Sequence, residues 1–195
     1  MLEMGCKGWI AANWVRGAGF MAAALIAAAP VIGDRHGLSL LLIFLHSPAY
    51  MVHQVEEHAA DRFRRFVNDR LFGGIDALTT KGVLWINLPG VWGLNLMALY
   101  AACFATPGDA LAAPYLVLVN ALTHVGAAIR VRGTNPGLFT AVFVLAPLGC
   151  LTLARTEASQ GQHALGLGIA IMIHVAIVLG TVARARRLRM GAMTP

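Results

Sequence analysis

The chain has 195 residues, 58% of them hydrophobic and 12% charged, against about 25% charged in an ordinary soluble domain. That balance, with its long apolar runs, excludes a water-soluble globular protein and points to the membrane class. The net charge is +6 and the pI about 9.9, but the cations sit between apolar runs, so membrane orientation accounts for them and no nucleic-acid partner is expected.

In lipid each backbone amide must be satisfied within its own segment, and these runs are too long for barrel strands. The expectation is an all-α polytopic membrane bundle, a single integral membrane domain over residues 1–195. Six transmembrane helices are predicted, at roughly 13–33, 38–60, 82–105, 111–131, 138–155 and 163–185. Gly, Pro and Asp fill the breaks "GDRHG", "TPGD" and "GTNPG".

The first helix follows Lys7 and Arg16, and "GFMAAALIAAAP" has the look of a secretory signal. It is read as a retained helix whose alanines allow close packing. The second helix carries "HSPAYMVHQVEEHAADRFRRF". At about 100° per residue, His46, His53 and Glu57 share one face, with Tyr50 beside them and Glu56 at its margin. Pro48 is expected to kink the helix near Phe44 or Leu45. His53 and His58 are five apart and point about 140° away from each other, so His58 is assigned to the interface, outside any shared ligand set. The basic stretch Asp61–Gly74 either extends this helix or lies along the cytoplasmic leaflet.

The third helix offers Trp85, Asn87, Trp92 and Asn95 to a cavity or to packing. In the fourth, Asn120 and His124 are one turn apart. This helix runs in the same direction as the second, so His124 can meet His53 and Glu57 at a common depth. His174, in the sixth helix, is a further ligand, a proton carrier or a histidine bonded to a carbonyl. His36 and His163 are expected to be solvated near the outer surface. Cys6, Cys103 and Cys150 are odd in number and form no C-x-x-C pair, so they read as small packing residues.

With the N-terminus in the cytoplasm, thirteen of the fifteen Lys and Arg residues fall on that side, all but Arg35 and Arg155. Both termini are therefore expected to be cytoplasmic. Ala- and Gly-rich helices with compact loops suggest a bacterial inner membrane.

Burying carboxylates in hydrocarbon is costly, so an intramembrane acid reads first as a functional site. The alternative pairs Glu56 and Glu57 with Arg62, Arg64 or Arg65 at the interface. Two imidazoles with one or two carboxylates suit zinc, iron or manganese, and one or two such ions are expected. The ligand set is His53, Glu57 and His124, with Glu56 as a further ligand or general base. These four are also the catalytic candidates, with His46, Tyr50, Asn120 and His174 around them or against substrate.

These residues resemble the HXXEE-domain membrane proteins, whose name-giving motif stands here as His53-Gln54-Val55-Glu56-Glu57. Members share a later histidine, matched by His124, and a Tyr-x-Pro-Gly turn. Thr134-Asn135-Pro136-Gly137 occupies that turn, with threonine in place of the tyrosine. The resemblance covers roughly residues 40–150 and names no reaction, because the family's function is uncharacterised. The expected activity is that of a membrane enzyme on a lipophilic small molecule, with hydrolytic or oxidative metal chemistry. The alternatives are a metal-free isomerase or cyclase using Glu56 or Glu57 as acid and a histidine as base, and a proton- or metal-coupled transporter or accessory subunit.

Overall fold

A computed structural model describes residues 6–192, and every regular element within them is helical. A single helical run from Cys6 to His58 departs from helical geometry only at Gly37, with φ 79° and ψ 179°. Glycine takes such a backbone without a Cβ clash, and the chain reverses there. Trp14 stacks on His58 with ring centroids 5.0 Å apart, Ala18 and Ala22 cluster with Met51, and Gly33 faces Leu41. These pairings define an antiparallel hairpin of α1 (residues 6–36) and α2 (residues 38–58). The α2 backbone stays helical through Pro48.

After His58 the backbone is left-handed at Ala60 (φ 53°) and Asp61 (φ 60°). Such values are uncommon outside glycine. They are held here by Arg65 donating to the Ala60 carbonyl at 2.6 Å and Arg64 donating to Asp61 at 2.5 and 2.8 Å. The turn separates α3 (residues 62–71) from α2 and brings Phe63 beneath the bundle.

Then come α4 (Thr80–Phe104), α5 (Ala112–Val131), α6 (Leu138–Arg155) and α7 (Gln160–Gly191). α4 and α6 each contain a π-helical stretch, Ile86–Trp92 and Ala141–Leu145. Five helical stretches are long and apolar enough to cross a membrane, where the sequence suggested six. The difference lies in the first stretch, Gly8–Leu71, which includes the hairpin and α3 in one 64-residue run.

Small residues fill the helix contacts, among them Ala18, Ala22, Ala98, Ala102, Ala113 and Ala170, while Phe20, Met97, Phe104, Leu122, Ile129 and Phe143 face outward. That is the arrangement expected where packing, not water exclusion, joins the helices. Cys103 and Cys150 lie exposed on this outer surface rather than packed inside. The packing role expected of Cys6 concerns a side chain outside the described residues.

The reversals sort to two ends. At one, Ser39 bonds the Arg155 carbonyl, Gln162 bonds Thr106 and Asp109, and His163 bonds the Tyr115 hydroxyl at 2.9 Å instead of being merely solvated. The other end is basic, and there Asp76 joins Arg64 at 3.1 Å and Arg184 at 3.7 Å.

Candidate metal centre

His53 and Glu57 lie one turn apart on the buried face of α2, and Asn120 and His124 repeat that spacing on α5. The two helices pack together in the half of the bundle near the basic end. Glu57 Oε2 lies 3.5 Å from His53 Nε2, and Glu57 Oε1 lies 3.5 Å from His124 Nε2. The two imidazole rings meet edge to face at 4.9 Å. Ligand atoms of all three fall within 4.8 Å of one another, and all three residues are buried. One atom from each residue lies close enough to the others for the trio to hold a metal ion, with the two 3.5 Å contacts made to different oxygens of Glu57.

The protons on both rings follow from their outer neighbours. Asn135 donates Nδ2–H to the His124 carbonyl at 2.8 Å, which fixes its amide and leaves Oδ1 2.7 Å from His124 Nδ1. An amide oxygen only accepts, so His124 carries its hydrogen on Nδ1. His53 Nδ1 lies 2.8 Å from the Thr140 hydroxyl, which donates to Glu56 at 2.5 Å. His53 therefore donates from Nδ1 too, and its Nε2 accepts from Asn120 Nδ2 at 3.1 Å. The Nε2 atoms of both rings thus face the Glu57 carboxylate, that of His53 while it also accepts from Asn120.

The turn before α6 closes over these rings. Gly137 has φ 91°, and a Cβ there would lie 2.8 Å from the Cε1 atoms of both His53 and His124. Only a residue without a side chain lets the backbone approach so closely.

A family model described as "Protein of unknown function with HXXEE motif" matches residues 44–152, more than half of the chain. The chain belongs to the HXXEE family. No curated protein and no solved structure matches it.

Within the HXXEE motif the two glutamates part company. Glu57 is central, whereas Glu56 turns to the start of α6 and accepts from the backbone N–H of Phe139 at 3.3 Å and of Thr140 at 2.7 Å. Free amides at a helix start attract a carboxylate, so Glu56 is not brought into the trio as the further ligand the sequence suggested. Among the described residues neither carboxylate pairs with an arginine. Arg62 donates to the Glu56 carbonyl, and Arg64 goes to Asp61 and Asp76.

His58 also departs from expectation. It is buried, with Nε2 2.9 Å from Glu57 Oε2. Its ring still points away from His53, but the carboxylate between them reaches both. Gln54, the second residue of the HXXEE motif, accepts from Trp92 Nε1 and donates to Asn87, each at 2.8 Å. Asn87 in turn stands 3.2 Å from His58 Nε2. The sequence had offered Asn87 and Trp92 to a cavity or to packing, and a glutamine inside an apolar helix was the further signal for this chain of bonds.

Of the surrounding candidates, Tyr50 packs edge-on to His53 at 5.4 Å and Asn120 touches it directly. His46 sits two turns away and bonds Thr152 at 3.0 Å, outside the trio. His174 bonds the carbonyl of Ala170 in its own helix at 2.8 Å and is not brought to the trio. Trp85 is 64% exposed.

Glu57, His58, His124 and Asn120 open onto a cavity of about 730 Å³ between α4, α5 and α7, floored by Phe63 and Phe66 of α3. Val83, Ile86, Leu116, Ile173 and Ile177 supply apolar walls, and Asn87 and His174 add polar points.

Proposed function

We propose that this chain is an integral membrane enzyme that acts on a lipophilic small molecule at His53, Glu57 and His124, with a transition metal ion as cofactor. The observation that carries the reading is the convergence of the His53 and His124 Nε2 atoms on a buried carboxylate. A buried carboxylate among imidazoles calls for a balancing positive charge in a low dielectric, and a metal ion would supply it. Nitrogen and oxygen donors without a thiolate suit zinc, iron or manganese. Three protein ligands leave a position open, as in catalytic sites.

Such an ion supplies Lewis acidity and an activated water for hydrolysis or, as iron, a redox centre for oxidation. The chain's own groups do the rest. Asn135 and Thr140 keep both Nε2 atoms aimed inward, and His58 steadies Glu57. Asn120 offers a hydrogen bond at the cavity edge. The apolar walls hold a hydrocarbon body while the polar end of the same molecule meets Glu57 and His124. A cavity of this size and lining is typical of small-molecule sites.

The hairpin supports counting α1 and α2 as separate crossings, six in all with α4 to α7. The clustering of arginines at one end supports placing that end and both termini in the cytoplasm, in the inner membrane of a bacterium.

Elemental analysis of detergent-purified protein tests the reading. Zinc, iron or manganese is expected in near-stoichiometric amount, and is expected to be absent from His53→Ala and Glu57→Ala variants that elute as folded protein. A wild-type chain that neither retains nor takes up any of these ions would overturn it.

A further inference from the structure

We infer that Glu56, acting through the Thr140 hydroxyl, positions His53 by holding its ring hydrogen on Nδ1. The inference rests on the proposed metal centre for its purpose, but its geometry stands separately.

Both Glu56 oxygens are engaged by donors: Oε1 by Phe139 N–H, and Oε2 by Thr140 N–H and Oγ1–H. An ionised carboxylate offers no proton in return. The Thr140 hydroxyl proton is therefore spent on Glu56, and the oxygen lone pair is left for His53 Nδ1–H. The other acceptor within reach of that hydroxyl is the Gly137 carbonyl at 3.3 Å, a much longer contact than 2.5 Å.

Without the carboxylate the hydroxyl is free to donate to His53 Nδ1, and the ring hydrogen shifts toward Nε2 against the Asn120 amide donor that stands there. A hydrogen on Nε2 blocks the lone pair that Asn120 now bonds and that an ion would need. Ligating histidines in metal proteins are commonly fixed by such an outer partner, and losing it lowers metal affinity about 10–100-fold. The HXXEE motif thus divides its acids: Glu57 faces the centre, and Glu56 governs the histidine three residues before it.

Imidazole 15N shifts of metal-free wild type, Thr140→Val, Thr140→Ser and Glu56→Gln proteins test this, together with zinc affinity by chelator competition. Wild type and Thr140→Ser are expected to hold His53 as the Nδ1–H tautomer. Thr140→Val and Glu56→Gln are expected to shift it toward Nε2–H and to bind zinc about 10–100-fold more weakly. A wild-type His53 in the Nε2–H form, or one whose tautomer and zinc affinity Thr140→Val leaves unchanged, would overturn the inference. So would a Thr140→Ser variant as impaired as Thr140→Val. A wild type with the Nδ1–H tautomer but no zinc affinity would remove the proposed function and leave the positioning role standing.

Discussion

At Gly137 a methyl group has nowhere to go. It would meet the rings of His53 and His124 and the Cβ of Glu57 at 3.2 Å, on a backbone at φ 91°. Gly137→Ala is therefore expected to cost about 1–3 kcal/mol of stability and to abolish metal retention, as read by thermal unfolding in detergent and elemental analysis. His58→Phe asks a different question. It keeps a ring against Trp14 at 5.0 Å and Phe63 at 5.6 Å but deletes the Nε2 atom beside Glu57. Its zinc affinity is expected to fall about 10-fold while His124→Ala loses binding altogether; equal losses would make His58 a ligand. The trio itself was legible in the sequence, because i, i+4 spacing and a common depth on parallel helices suffice to bring His53, Glu57 and His124 together. His58 was misplaced because helical angles locate a ring but not the carboxylate between two rings. Glu56 was misplaced because its partners lie 83 and 84 residues onward, beyond any local pattern.

Among the helices, hydropathy located the apolar runs well, and Gly37 broke the first pair apart where "GDRHG" had suggested. It could not foresee the left-handed pair Ala60–Asp61, since alanine carries no signal for that conformation. α3 consequently turns under the cavity instead of extending α2. The packing of α7 on the turn before α5 rests on Gly166, where a Cβ would lie 2.8 Å from the Leu111 carbonyl carbon and 3.0 Å from the Ala112 nitrogen. Backbone atoms cannot step aside as a side chain can. Gly166→Ala is thus expected to lower the unfolding midpoint, with a cost of about 1–3 kcal/mol. Gly168→Ala, which meets nothing within 4 Å, should leave it unchanged or raise it slightly through helix propensity. Equal midpoints for the two variants would contradict the close contact.

For the molecule as a whole, the cavity predicts ligand-dependent stability. A long-chain ester or amide at about 100 times its Kd should add about 2.7 kcal/mol, visible as a raised unfolding midpoint. Ile177→Trp is expected to fill the cavity and remove that rise while metal content stays. A rise that survives the substitution would place the ligand elsewhere. The scattering of the centre along the chain has a further consequence. His53 and Thr140 are 87 residues apart, and His124 arrives from a helix made between them. During translation α2 is made with its carboxylate facing only His53 and His58, and the other ring, its asparagine and the closing turn are complete only as the start of α6 emerges. On the proposed function, charging with an ion is accordingly a late event, after most of the polypeptide has been synthesised and inserted.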